Sequence, residues 1–249
     1  MFIFTIQMSN LLIDIGNTLT KVAISTNNNI VEEFKFEEFN ESELLILLKN
    51  HKINYSALSN VSKPNHDLER NLKNLTTFFS FTKNINLPFN IDYNIDEVGD
   101  DRLALMCAAC HEYPQENVLV IDLGTCITYD IKSNENNYNP GGISPGMNMR
   151  LNSIAKNAFN LSIIKPDYPK KIIAHDTKSS LDIGVVLGIQ LEIEGFISKY
   201  KTIFPGLKVI ITGGDAKVLL GKIKNTIFTN SNYIFKGLDF LIEYNKQNA

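Results

Sequence analysis

The chain has 249 residues, enough for one large domain or two of about 120, and 44% of them are hydrophobic, which excludes wholesale disorder. Its net charge of −3 offers no general cationic field for nucleic acid or for an anionic membrane surface. No apolar run approaches the ~20 residues of a membrane-spanning helix, and three cysteines are too few for a disulfide scaffold, so a reducing cytoplasm is the expected location.

Residues 1–7 (MFIFTIQ) are apolar but short, without the basic stretch or cleavage site of a signal peptide. Either they lengthen the first strand or translation starts at Met8. Residues 11–24 read as strand, tight turn, strand, and 30–36 extends them into a meander. Residues 41–50 form a helix capped by Asn40 or Ser42. A buried strand at 55–61, a helix at 67–77, a strand at 78–82 and a polar loop at 87–99 follow. The next helix ends in Cys107-Ala108-Ala109-Cys110-His111, which matches the C-x-x-C-H haem-attachment pattern. Its small apolar neighbours, and the lack of two further ligands at metal-site spacing, favour two packed thiols instead. The turn at 113–117 marks a boundary, giving domains 1–116 and 117–249.

The second half opens with a fully buried strand at 118–121 and a hairpin to 128–131. The Gly- and Pro-rich stretch 139–146 is either a surface turn or a rigid wall that a ligand approaches closely. A helix near 147–158 precedes one long helix at 179–200, whose Gly184, Gly188 and Gly195 would admit another backbone. A strand at 207–212 runs into Gly213-Gly214, expected to open a helix at 216–224 whose N-terminus could face a phosphate. Tyr233-Ile234-Phe235 and a helix at 237–244 close the chain.

One long repeat organises these pieces. Leu12-Ile13-Asp14-Ile15-Gly16 with Thr20 recurs as Val120-Ile121-Asp122-Leu123-Gly124 with Thr128, 108 residues on. Matching order and spacing of several residue types predict two similar α/β domains, each offering a hairpin to a shared cleft. An Asp at a strand end presents its carboxylate there, the Gly lets a ligand approach without a Cβ, and turn N–H groups can hold phosphate oxygens. Two such carboxylates near a polyphosphate require cations, so Asp14 and Asp122 are candidate ligands for Mg²⁺ or a monovalent ion. No P-loop and no strand-borne G-x-G-x-x-G occurs. Asp100-Asp101-Arg102 precedes an apolar helix. Its carboxylates either cap that helix or accept the proton of an attacking hydroxyl beside a fixed cation. Arginine is scarce: Arg70, Arg102 and Arg150 are the three present, which singles out each planar, bidentate side chain.

In combination these segments resemble the type III pantothenate kinases of the acetate and sugar kinase–actin superfamily. The matching motifs are D-x-G-N-T (Asp14 to Thr18), G-x-D-R (Gly99 to Arg102), D-x-G-T-x-x-T (Asp122 to Thr128), the glycine pair Gly141-Gly142 with Gly146, and T-G-G-D (Thr212 to Asp215). The resemblance implies an α/β fold of two actin-like (ribonuclease H-like) domains with a shared interdomain cleft. It implies ATP-dependent phosphorylation of the pantothenate 4′-hydroxyl, the first step of coenzyme A synthesis, in a cytoplasmic homodimer that binds neither nucleic acid nor membrane. By that resemblance Asp14, Ile15, Gly16, Asn17, Thr18, Leu19, Thr20, Lys21 and Thr125 contact ATP, and Gly213 and Gly214 join them from the glycine-turn argument. Asp101 matches the proton acceptor, and Asp122 the ligand of a monovalent cation, K⁺ or NH₄⁺. Tyr93, Gly99, Asp100, Asp101, Arg102 and Thr177 match pantothenate contacts, with Mg²⁺ accompanying ATP. Two other classes stay open: another small-molecule kinase of the superfamily, or a non-catalytic accessory regulator of transcription.

Overall fold

Strand-forming and helical segments alternate, and a computed structural model places them for residues 8–82, 84–158, 161–229 and 232–247. The opening stretch 1–7, with its expected strand extension, lies outside the described residues. The chain divides into two units, Met1–Glu112 with Tyr233–Ala249, and Tyr113–Asn232.

The first unit is built on β1 (Ser9–Ile15), β2 (Thr20–Thr26), β3 (Asn29–Phe36), α1 (Glu41–Asn50), β4 (Ile53–Asn60), α2 (His66–Leu75), β5 (Thr77–Ser80), the short β6 (Asn90–Ile91) and α3 (Asp100–Glu112). Its main sheet runs β3-β2-β1-β4-β5. The first three strands form the antiparallel meander, and β4 and β5 add in parallel. Leu11 and Ile13 point from β1 into a core closed by Leu44, Leu47, Leu68 and Leu72 of α1 and α2. The alternate β1 residues face the other way, so β1 is buried on both faces and its centre, Leu11 to Ile13, is wholly apolar. Asn40 is the α1 cap, with Glu43 closing a capping box.

The C-terminal helix (Tyr233–Gln247) belongs to this first unit, whereas the expected division at 116/117 assigned it to the second. Packing overrides sequence distance. Gly237 crosses α3 so closely that a Cβ would lie 1.8 Å from the Ala104 carbonyl oxygen. Leu238, Leu241 and Ile242 are fully buried, and Asp239 accepts hydrogen bonds from Asn10 (2.7 Å) and Ser25 (2.6 Å). Cys107 and Cys110 are buried thiols within α3 and are not joined in a disulfide. Burial pushes the Cys107 thiol well up, away from the thiolate that ligation or redox chemistry needs, and His111 lies against Phe240 with ring centroids 4.5 Å apart.

The second unit contains β7 (Val118–Leu123), β8 (Cys126–Lys132), β9 (Asn137–Pro145), α4 (Met147–Asn157), α5 (Thr177–Asp182), α6 (Gly188–Ile203), β10 (Lys208–Thr212) and β11 (Ile227–Phe228). Within it the strands run β9-β8-β7-β10-β11, antiparallel twice and then parallel twice. That is the order of the first sheet again, so the repeat is a duplicated architecture. Four expectations are corrected. The Gly/Pro stretch is strand β9 rather than a loop. A five-residue π-turn, Ile183–Leu187, divides the long helix where Val185 and Val186 sit between helix-weakening Gly184 and Gly188. A Cβ on Gly184, Gly188 or Gly195 would meet nothing within 4 Å, so no backbone among the described residues uses the space. Finally, 216–224 is not an α-helix: a 3-10 turn at Ala216–Leu219 ends ahead of Gly221, whose φ of +71° is left-handed. Among the described residues no helix is long and apolar enough to cross a membrane.

Candidate active site

In the first unit, Asp14 sits at the end of β1, directly across from Lys21 on β2 and beside Ser59 on β4. Ser59 donates its hydroxyl to Asp14 Oδ1 at 3.2 Å. Residues facing one another across an antiparallel pair project to the same side, so Lys21 neighbours the carboxylate. Burial pushes the Asp14 carboxyl up to about 6; Lys21 opposes the rise and the charge of Asp101 adds to it. The Asp100 carboxyl is also pushed up to about 6, again chiefly by burial. It accepts the Asn60 backbone N–H at 3.0 Å, tying the start of α3 to the end of β4. Asp101 lies next to both. Its Oδ1 accepts the Arg102 N–H at 2.8 Å, and a Cβ on Gly99 would come within 2.6 Å of it. Position 99 therefore has to be glycine if the Asp101 carboxylate is to keep its place.

The first unit thus brings Asp14, Asp100 and Asp101 into one electrostatic group at the strand ends. Asn17, Thr18 and Leu19 are exposed on the β1–β2 turn between Ile15, Gly16 and the buried Thr20, as a ligand-facing loop would be. Arg102 is buried in the first turn of α3. Tyr93 is half exposed in a concavity of about 640 Å³ lined by residues 85–95. The loop there is pinned by Asn94, which accepts from the Asp96 N–H and donates to Glu97.

The raised carboxyls have a measurable cost. A carboxyl pushed up in the folded state binds its proton more tightly there than in the unfolded chain. Stability therefore falls as pH rises from about 4 to about 6, and the loss is complete above that. Asp14→Asn mimics the protonated form. It is expected to raise the melting temperature by several degrees at pH 7.5, with an upper bound of about 3 kcal/mol, and to lose that advantage near pH 4. Thermal melts of both proteins at the two pH values check this.

In the second unit, Asp122 ends β7 with Thr128 directly across and Thr212 alongside on β10. The two hairpins differ by one residue in register: Asp14 faces Lys21, whereas Asp122 faces Thr128. Gly213 has φ +100°, and a Cβ on it would lie 2.4 Å from Asp122 Oδ1 and 2.5 Å from the Leu123 backbone. The backbone closes onto the carboxylate there, which is why position 213 is glycine, whereas Gly214 beside it opens onto free space. Thr125 is exposed at the hairpin tip. Gly146, the N-cap of α4, donates its N–H to the Thr125 carbonyl at 3.0 Å. Thr177 is exposed at the first position of α5, and the preceding Asp176 caps that helix through the Ser179 N–H at 2.7 Å.

The motifs did not point to Ser59, Asn60 or the Gly146–Thr125 contact. The signal for Ser59 was available: it ends an apolar strand in the same register to Asp14 as Thr212 has to Asp122. Among the described residues no three His, Cys, Asp or Glu side chains converge tightly enough to hold a metal ion. The residues facing Asp122 on the neighbouring strands are Thr128 and Thr212, so the side chains beside it carry oxygen, the ligand type that hard cations take.

Two copies of one five-stranded sheet, each with an acidic hairpin, define an actin-like fold, and solved structures agree. The chain superposes on the ParM protein of psk41 with a TM-score of 0.52 at 11% identity, covering 97% of this chain and 99% of that one. It is also similar to a Campylobacter jejuni protein described as a Baf family transcriptional activator, with a TM-score of 0.59, 25% identity and coverage of 95% and 99%. The family profile described as type III pantothenate kinase matches residues 10–199. The type III pantothenate kinase of Christiangramia forsetii is 41% identical over 240 residues, 95% of this chain and 99% of that protein. That of Flavobacterium johnsoniae is 36% identical over 249 residues, 96% and 99%. The chain belongs to the type III pantothenate kinase family. Its activity is the ATP-dependent phosphorylation of pantothenate in coenzyme A synthesis.

Proposed function

We propose that Asp101 is the general base of this reaction and that the 4′-hydroxyl of pantothenate is its target. The observation that carries this is the placement of the Asp101 carboxylate. It is pressed against Gly99 and held by the Arg102 N–H, beside two carboxyls already engaged by the Ser59 hydroxyl and the Asn60 N–H. Asp101 orients the hydroxyl and takes its proton. The hydroxyl oxygen then attacks the γ-phosphorus in line, the bond to the β–γ bridging oxygen breaks, and ADP leaves. Positioning and charge compensation supply most of the acceleration.

The same reading assigns ATP contacts to the Asp14–Lys21 hairpin, Thr125, Gly213 and Gly214. It assigns pantothenate contacts to Tyr93, Gly99, Asp100, Arg102 and Thr177, with the Arg102 guanidinium meeting the pantothenate carboxylate. Asp122 would hold K⁺ or NH₄⁺, and Asp14 one position of Mg²⁺; bound there, the cations offset phosphate charge. A homodimer working in the cytoplasm completes the proposal, on family likeness alone.

The test is the initial rate of pantothenate phosphorylation in K⁺ and in Na⁺, for the wild type and Asp122→Asn. The expected result is a clear preference for K⁺ that the variant loses. An equal rate in both salts, unchanged by the substitution, removes the cation role from Asp122.

A further inference from the structure

Arg150, one of three arginines in the chain, is absorbed by none of these roles, yet it anchors a connected polar group of the second unit. From α4 its Nε donates to the Pro145 carbonyl at 2.7 Å. Its Nη2 donates to Glu192 Oε2 on α6 at 2.5 Å and to Ser144 Oγ at 3.3 Å. Glu192 Oε1 in turn accepts from the Tyr129 hydroxyl at 2.9 Å and from Ser144 at 2.5 Å. Tyr129 is clamped over Phe196, one helical turn beyond Glu192, with ring centroids 4.2 Å apart. Burial pushes the Glu192 carboxyl up, but the donors from Ser144, Arg150 and Tyr129 outweigh it and hold the group low, hence ionised. Burial and that carboxylate push the Tyr129 hydroxyl far up, so it stays a donor.

The group's location gives it a purpose. The carbonyl that Arg150 grips belongs to Pro145, and the next residue, Gly146, is the backing of the β7–β8 turn. The Gly146 N–H bonds the Thr125 carbonyl, and a Cβ on Gly146 would fall 2.3 Å from the Gly124 carbonyl oxygen and 2.4 Å from that of Thr125. With no side chain between them, any shift of the backbone at 144–146 is passed directly to Gly124 and Thr125. A guanidinium can grip a carbonyl with Nε while its outer nitrogen pairs with a carboxylate; a lysine ammonium on its flexible stem cannot hold both in a fixed plane.

We propose that Arg150, locked by Glu192, is a positioning residue for ATP: it fixes the Ser144–Gly146 backbone against which the Gly124–Thr125 turn rests. The proposal depends on the reading of Thr125 as an ATP contact.

The test compares Arg150→Lys, Arg150→Met, Glu192→Gln and Thr125→Ala with the wild type. Its readouts are separate KM values for ATP and pantothenate, kcat, melting temperature, and amide hydrogen exchange at Gly146. Arg150→Lys keeps the ion pair with Glu192 and is expected to melt near the wild type. Its KM for ATP nonetheless rises about tenfold, the scale of one charge-assisted hydrogen bond, with KM for pantothenate within about twofold and faster exchange at Gly146. Glu192→Gln, which frees the guanidinium, shows the same split, and it serves if Arg150→Met fails to fold. A role confined to holding α4 on α6 would make KM for ATP follow the melting temperature, and that result overturns the proposal. Unchanged KM for ATP in the folded Arg150 and Glu192 variants, with a raised value in Thr125→Ala, overturns it too while leaving the ATP reading intact. Unchanged KM in all four, with faster exchange at Gly146, instead removes Thr125 from the ATP site and takes the positioning role with it.

Discussion

Replacing Asp101 by Asn is expected to lower kcat by about 10²–10⁴-fold, the range that a positioned general base contributes, while KM for ATP stays within about twofold. Asparagine preserves the shape and the acceptor for the Arg102 N–H but cannot take a proton. The substitution has a second consequence that separates lost chemistry from lost folding. The charge of Asp101 helps to push up both Asp14 and Asp100, so removing it relieves repulsion inside a buried group. The variant should therefore melt at or above the wild-type temperature at neutral pH while being nearly inactive. Steady-state kinetics and a thermal melt on one preparation check both halves. Retained turnover would move the base elsewhere; lost turnover with a lowered melting temperature would point to damage rather than chemistry.

The largest effect on stability is expected from Gly237→Ala. The added methyl would sit 1.8 Å from the Ala104 carbonyl oxygen, 2.7 Å from its carbon and 3.1 Å from the Ala108 nitrogen. These are backbone atoms of α3 and no rotamer change moves them. The C-terminal helix must then lift from α3, exposing part of the apolar face formed by Leu238, Leu241 and Ile242. Overpacking of this kind costs about 1–3 kcal/mol where side chains can give way, and more where backbone must move. We expect several kcal/mol, a drop in melting temperature of 10 °C or so, and early loss of the first unit. Gly195→Ala is the matched control. A Cβ there meets nothing within 4 Å, and alanine is the better helix former by roughly 1 kcal/mol, so that variant should be neutral or stabilised. A melt of the two side by side decides.

The parts of the fold legible in the sequence were those with a local cause. The α1 boundaries follow from Asn40 and its capping box, and the hairpins follow from apolar runs broken at Asp-x-Gly. The repeat at Asp14 and Asp122 proved to be a duplicated strand order. What escaped was set by contacts distant in sequence. The C-terminal helix joined the first unit because Gly237 fits α3 and Asp239 reaches Asn10 and Ser25. The Gly/Pro stretch 139–146 reads as a loop by composition. Yet β8 draws it into a strand, with Gly141 lying so near the Tyr129 carbonyl that a Cβ would be 2.0 Å away. At the site, Asp100-Asp101-Arg102 announced an acidic group at a helix start, but composition could not say which carboxylate does what. The structure separates them: Asp100 takes the Asn60 N–H, and Asp101 takes the Arg102 N–H against Gly99. Ser59 and Glu192 carry no motif at all, because their importance lies in the register of β4 and in one face of α6.

We propose that the phosphoryl group passes from ATP to pantothenate with the carboxylate at the start of α3 as the base. The most direct measurement is ADP release by the purified protein with ATP and Mg²⁺ in K⁺ buffer, with and without pantothenate, for the wild type and Asp101→Asn together. Release by the wild type is expected to depend on pantothenate, matched mole for mole by a phosphorylated pantothenate seen by mass spectrometry, with almost none from the folded variant. Release indifferent to pantothenate, or equal release by the two proteins, would contradict it.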